Sequence, residues 1–434
     1  MSLSDLPGPV PDPAALRGGT ATALVEPLDR VRTLWITGVV LINVGINAAF
    51  FGPIQVLLGQ QAAHFDEGQK EAILALVTGC GAAVSLVANP LFGAFSDRTV
   101  SRFGRRVPWV LVGAILGAVG LVGLAGAPNV AVMTVLWCLV QAGCNGAYAA
   151  ITAAIPDRVP VPQRGTVGGL AAMGQTVGIL AGAVIAAVMA GNFASGYLVC
   201  AAALLAGVVL YLFKNDDQPL PPQARPPFSL VRFFQGFWVS PTRYPDFAWA
   251  WLTRLLVNIG NHMVTLYLLF FLSDAVHVKE TEGIEPAFGV LILTGLYAVM
   301  VIITSVIGGT LSDRMGKRKP LVIASSVIIA IASLILGFAP TWAGAITGAL
   351  VLGLGFGAYL AVDFALITQV LPTALDRGRD LGVINVANSL PQVIAPLIAF
   401  PFVTYLGGYV SLYVAAAVIG LLGAVFVVKI KSVA

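Results

Sequence analysis

GAFSDRTVSRFGRRVPW at residues 93–109 and GTLSDRMGKRKP at residues 309–320 are two copies of one pattern, Gly-x-x-x-Asp-Arg followed by a basic cluster. Each copy ends one long apolar run and opens the next. Other positions repeat with them. GAYAAITAAI at 146–155 matches GAYLAVDFAL at 357–366, and Asn43 and Asn47 correspond at a constant offset to Asn258 and His262. Chance similarity between apolar stretches does not preserve polar positions and loop motifs together. Such an internal repeat points to a membrane chain built as two related halves.

Composition agrees. The chain is 58% hydrophobic and 10% charged over 434 residues, whereas a soluble domain is about a quarter charged. So few charges cannot clothe a surface in water, so most of the outside faces lipid. Crossing the hydrocarbon takes about twenty apolar residues. Such runs lie at 34–58, 71–95, 107–127, 130–155, 166–191 and 196–213, then at 247–273, 287–311, 320–339, 342–369, 381–404 and 409–428. The predicted fold is an all-α membrane protein, twelve transmembrane helices in two pseudo-symmetric six-helix bundles. The expected organisation is a tail at 1–33, a first half at 34–213, a linker at 214–246 and a second half at 247–431. Pro219, Pro221, Pro222, Pro226, Pro227 and Pro241, with Phe233, Phe234, Phe237 and Trp238 between them, give the linker an amphipathic segment on the inner membrane face.

Orientation follows from Lys and Arg. With both termini cytoplasmic, 21 of the 24 basic residues fall inside, Lys70 and Lys279 fall outside, and Arg254 lies within a span. A multi-pass protein of the cell membrane is expected. The proline-rich start, with Asp5 and Asp12, lacks the basic segment of a signal peptide, so the first helix is expected to remain as an anchor. Cys80, Cys138, Cys144 and Cys200 sit in apolar runs without metal or disulfide spacing and read as small core residues. No cofactor, metal or nucleic-acid partner is expected, because the basic residues flank the membrane. A monomer embedded in the bilayer is.

In the repeated loops, Gly93 and Gly309 are expected to let another helix approach the backbone closely. Asp97 and Asp313 end their helices within reach of a neighbouring helix N-terminus. Arg98, Arg105 and Arg106, with Arg314, Lys317 and Arg318, can pair those carboxylates. These residues resemble the cytoplasmic loop signature of the major facilitator superfamily. The longer first copy, SRFGRR followed by Pro108 and Trp109, is similar to the glycoside–pentoside–hexuronide cation symporters and the related sucrose transporters. The resemblance implies alternating access, in which the halves rock about a site near the midplane. It also implies that Asp97 and Asp313 latch the cytoplasmic side, against the starts of helix 11 (Arg379 to Gly382) and helix 5 (Arg164 to Thr166). One departure stands out. Where sodium-coupled members carry carboxylates, this chain has Ser85, Asn89 and Asn145, all neutral. A hard cation wants anionic oxygens, so proton coupling or uniport is expected in place of sodium coupling.

Polar residues at helical spacing mark faces turned from lipid. Helix 1 offers Asn43, Asn47 and Gln55; helix 4 offers Gln141, Asn145, Tyr148 and Thr152. Helix 7 offers Arg254, Asn258, Asn261, His262 and Thr265; helix 10 offers Tyr359 and Asp363. Helix 11 offers Asn385, Asn388 and Gln392, and Gln175 of helix 5 matches Asn388. Amides and tyrosines suit a hydroxyl-rich solute; the plainer alternative is hydrogen bonding between helices. Arg254 and Asp363 are the ionisable residues deep in the spans, where charges are paired and commonly functional. At 1.5 Å per residue they lie roughly 12 Å and about 9–13 Å from the same face, and are expected to face each other. His262 either titrates or bonds a neighbouring amide. Gly353, Gly355 and Gly357 in GLGFGAY follow no strand and read as a helix-packing face, not a dinucleotide loop.

The expected function is secondary active transport of a small polar solute, a sugar or glycoside, in symport with protons. Export of drugs or natural products is the alternative, as is a sensor that no longer transports. No nucleophile–base arrangement or phosphate loop suggests an enzyme.

Overall fold

The computed structural model describes residues 27–213, 217, 229, 240–315, 318–370 and 377–431. Twelve long helices run through them, and no strand occurs among the described residues. The first, α1, comprises Thr33–Gly52, a π turn at Pro53–Leu57, and Leu58–Phe65. Next come α2 (Lys70–Ser96), α3 (Val107–Ala125), α4 (Val130–Arg158), α5 (Val161–Val188) and α6 (Phe193–Phe213). The second set is α7 (Pro245–Leu266), continued after a 43° bend by Leu268–Asp274, then α8 (Pro286–Met315) and α9 (Lys319–Phe338). It ends with α10 (Trp342–Val370), α11 (Arg377–Thr404) and α12 (Gly408–Val427).

Among the described residues ten helices are long and apolar enough to cross a membrane, and the bent α7 pair makes an eleventh. In α11 the apolar stretch among the described residues is Leu390–Thr404. The expected spans hold to within a few residues, except that α1 runs on to Phe65. Most of linker 214–246, with its expected amphipathic segment, lies outside the described residues.

The repeat is legible in the packing. In the first set α1 packs on α5 and α6, α4 on α2 and α3, and α3 on α6. Adding six to each label gives the pairs observed in the second set. The two sets meet mainly through α2 against α11 and α5 against α8, and the same operation exchanges those contacts. The breaks repeat as well. Pro53, which cannot donate to the helical ladder, begins the π turn of α1, and the repeat offset brings Pro53 onto Leu268, where α7 bends.

Lipid offers little driving force for apolar helices to associate, so close approach at small residues does much of the work. A Cβ placed on Gly178 of α5 would stand 2.6 Å from the Val44 carbonyl oxygen of α1, and one on Gly174 would stand 2.7 Å from that of Val40. Gly353 and Gly357 of α10 approach α8 at Tyr297 and Val301, as a packing face should. Gly93 does not behave as expected. A Cβ there meets nothing within 4 Å among the described residues. The surroundings of Gly309 lie outside the described residues. Gly178→Val should therefore overpack the α1–α5 contact at about 1–3 kcal/mol, lowering the melting temperature of the purified protein, while Gly93→Ala leaves it unchanged. Equal melting temperatures for both variants would contradict this packing.

Candidate functional site

One charged cluster sits where α2, α3 and α4 end together. Arg106 is buried just before α3; its guanidinium lies 2.6 Å from Asp97 Oδ1 through Nη2 and 2.7 Å from Asp157 Oδ2 through Nε. Its Nη1 donates to Ser96 Oγ at 2.5 Å. Arg105 Nη2 completes the cluster, 2.6 Å from Asp157 Oδ1. Asp97 thus pairs with its own loop. The partners expected at Arg164 to Thr166 and Arg379 to Gly382 have side chains outside the described residues, as does Asp313; Arg314 is exposed. Arg98 donates to the Ala94 carbonyl at the end of α2.

Asp157 is the residue that sequence reading missed. The available signal was an acid immediately before Arg158, beyond Pro156, at the same membrane face as the loop. Asp217 of the linker joins from outside the spans. Its Oδ2 accepts from the Arg106 and Val107 backbone N–H groups at 2.6 and 3.1 Å, capping α3. The turn needs Gly104 at φ 90, a conformation that disfavours a side chain. Burial pushes the Asp217 carboxyl above its ordinary value, against the opposing pull of those two N–H groups. Asp157 holds two arginines and is more buried than Asp97. Asp157→Asn should therefore loosen the loop more than Asp97→Asn does, read by mass spectrometry as faster tryptic cleavage after Arg105 or Arg106.

The second site lies between α7 and α10. Arg254 Nε stands 3.3 Å from Asp363 Oδ2, and Asp363 is 3% exposed, so the two deep charges meet with little access to solvent. Tyr359 lies one turn before Asp363 on α10 and is fully buried. An aromatic row reaches it from α8, Tyr297 stacking on Phe356 at 6.2 Å and Phe356 on Tyr359 at 6.0 Å. The Tyr359 hydroxyl interacts with the Asp363 carboxyl, and Asn261 with Tyr297, so polar side chains of α7, α8 and α10 flank the pair.

Other candidates satisfy themselves locally. Asn43 Nδ2 donates to the Val39 carbonyl and Asn47 Nδ2 to that of Asn43, each at 2.8 Å. Their repeat equivalents do the same: Asn258 Nδ2 donates to the Arg254 carbonyl at 2.9 Å, and His262 Nδ1 bonds that of Asn258 at 2.9 Å. A carbonyl only accepts, so the His262 proton sits on Nδ1 and leaves Nε2 as the second ring position. Asn43 and Asn47 pack against Gly174 and Gly178 of α5. Asn145 Nδ2 donates to Gln141 O and Oε1 within α4, and Gln175 Nε2 donates to the Tyr148 hydroxyl at 3.2 Å, tying α5 to α4. The Asn388 side chain lies outside the described residues, and Gln392 is exposed. The structure therefore joins Arg254, Tyr359 and Asp363 across α7 and α10, lets Asn258 and His262 bond within α7, and places Asn43, Asn47, Gln141, Asn145 and Tyr148 in the other half. Among the described residues no group of three or more potential ligands could hold a metal.

A bundle of long apolar helices, repeated in sequence and in packing, with charge buried between two of them, defines a multi-pass membrane transporter. The family description of the Major Facilitator Superfamily matches residues 34–293 and 272–433, and the chain belongs to that superfamily. It is 28% identical over 164 residues to the "Probable metabolite transport protein CsbC" of Bacillus subtilis (strain 168), a match covering 38% of this chain and 32% of that one. The match thus spans about a third of that relative's length. Among solved structures, the nucleoside transporter NupG superposes with TM-score 0.74 at 12% identity, covering 92% of this chain and all of that one. A POT family transporter in complex with a thioalcohol-conjugated peptide gives TM-score 0.73 at 11% identity, covering 91% of this chain and 95% of that one. At such identities the likeness shows the fold alone.

Removing one partner of a buried ion pair is worse than removing both. Asp363→Asn or Arg254→Gln alone should lower the yield of folded protein in the membrane, an unmatched charge there costing about 2.5–3.5 kcal/mol. The double variant should recover it. Fluorescence-detected size exclusion measures this, and equal yields for all three would sink the pair as a structural element.

Proposed function

We propose that this transporter carries a small hydroxyl-bearing solute, a sugar or glycoside, by alternating access in symport with protons, Asp363 holding the coupled proton. The observation that carries the reading is the Arg254–Asp363 pair, buried between α7 and α10 with the Tyr359 hydroxyl beside it. A carboxylate beside a guanidinium has two stable states, ionised and paired, or protonated and released, and a solute can favour either. The aromatic row ending at Tyr359 suits the apolar face of a sugar ring, while amides and hydroxyls suit its rim. The neutral Ser85, Asn89 and Asn145 argue against sodium. The solved relatives bind or carry peptides, aminolevulinic acid or nucleosides by their descriptions, so the superfold alone leaves the solute open.

In this reading residues 34–213 and 247–431 are the moving halves, working as a monomer in the cell membrane with both termini and linker 214–246 inside. The longer first loop, SRFGRR with Pro108 and Trp109, supports placement near the glycoside–pentoside–hexuronide symporters.

The test is uptake by proteoliposomes from a panel of sugars, glycosides, nucleosides, dipeptides and lipophilic drugs, with and without an inward proton gradient. The expected result is gradient-driven accumulation of a sugar or glycoside. In the same assay Asp363→Asn should still exchange labelled for unlabelled solute and lose accumulation. Sodium-driven uptake, or transport of lipophilic cations alone, would reject the reading.

A further inference from the structure

At the end of the bundle opposite the Asp97 loop the two halves touch through a second charged cluster. Lys70 opens α2 and is only 8% exposed. Its Nζ lies 2.8 Å from Glu67 Oε1, in its own half, and 2.9 Å from Asp274 Oδ2, in the other half at the end of the segment after the α7 bend. The Tyr409 hydroxyl, also of the second half, donates to Asp274 Oδ2 at 3.1 Å. The Lys70 ammonium stands 5.1 Å over the Phe270 ring. Around this cluster the halves seal: Gly59 packs on Leu269 and Phe270, the Tyr267 hydroxyl donates to the Glu71 carbonyl at 3.4 Å, and Gln55 donates to Thr294 at 3.5 Å. Each central charge thus has two partners, one from its own half and one from across the seam.

We propose that Lys70–Asp274 is the lock that closes this end of the transporter, and that Glu67 and Tyr409 are its release partners. The proposal rests on the alternating-access reading above. Separating a bare buried ion pair would strand both charges, which makes such a lock slow to open. In this cluster neither is stranded. When the halves part, Lys70 leaves with Glu67, three residues before it on the same segment, and Asp274 leaves with the Tyr409 hydroxyl. The π turn of α1 and the bend of α7 lie next to the seam, where a change of backbone angles can swing the two end segments apart. The locking residues and the release residues therefore have opposite effects. Removing a locking charge favours the open end. Removing a release partner favours the closed end, because the open state loses the group that would receive the freed charge.

The experiment is pulsed electron–electron resonance on the full chain in nanodiscs, with spin labels on Gln69→Cys and Glu280→Cys, both exposed positions flanking the seam. Cys80, Cys138, Cys144 and Cys200 are replaced by Ala. Lys70→Gln and Asp274→Asn should raise the long-distance population about threefold or more, and Glu67→Gln and Tyr409→Phe should lower it about twofold. Lys70→Arg should restore the wild-type distribution. If Lys70→Gln fails to fold, Glu67→Gln and Tyr409→Phe, which leave the pair itself intact, carry the test. Lengthening by those two variants would overturn the release roles, and unmoved distances in all variants of a protein that still transports would overturn the lock. Because the distances need no solute, failure of the uptake panel with distances shifting as expected would count against the proposed substrate and leave the lock standing.

Discussion

A charge that water cannot reach must be met by its opposite, and this bundle meets that requirement at three depths. Asp97, Asp157, Arg105 and Arg106 neutralise one another where α2, α3 and α4 end. Arg254 and Asp363 do so between α7 and α10. Lys70 and Asp274 do so at the opposite end. The first cluster lies wholly in the first half and the second wholly in the second half, so each can survive intact while the halves move as bodies. The third bridges the halves. Any rocking that opens that end has to break it, which is why the same-half partners of Lys70 and Asp274 matter more than the bridge length itself.

The remaining contact between the halves runs mainly through α2–α11 and α5–α8. Within each half, by contrast, glycines bring backbones together, as at Gly174 and Gly178 against α1 and at Gly353 and Gly357 against α8. The polar residues on α1 follow the same division. Asn43 and Asn47 donate their amides to carbonyls of their own helix, and their Cβ atoms lie against Gly174 and Gly178 of α5.

That placement shows where sequence reading stops. Spans follow from apolar length and the repeat from matching loops, because both are one-dimensional quantities set by the thickness of hydrocarbon and by chain duplication. The depth match of Arg254 and Asp363 followed from rise per residue, and their side chains do meet. Direction around a helix is harder. A run such as Asn43–Asn47 says that a face is polar but not which neighbour meets it, and the approach of Gly174 and Gly178 of α5 comes only with the fold. Short helix ends are harder still. Asp157, Lys70 and Asp274 each sit a few residues from a span limit, where nothing periodic distinguishes a network member from an ordinary solvated charge, and only the fold brings Asp157 under Arg106 or Asp274 against Lys70.

The repeat also shows how unlike two similar halves have become. Aligning the copies places Arg254 on Val39 and Asp363 on Thr152. The backbone chemistry around them is shared: the side chains at Asn43, Asn47, Asn258 and His262 all bond a carbonyl four residues back. On this common frame the first half carries amides and hydroxyls, and the second half carries the charged residues Arg254 and Asp363. An arginine or an aspartate acquired alone would have been an unmatched charge in hydrocarbon, so the pair is stable only as a unit, and a unit fits in one half only where both helices of that half face each other. α7 and α10 do pack together, which lets the pair close without the partner half. A charge pair contained in one half would stay assembled through the proposed rocking motion. Under the proposed function it would therefore answer to protonation or to a bound solute, and not merely to the opening of the seam.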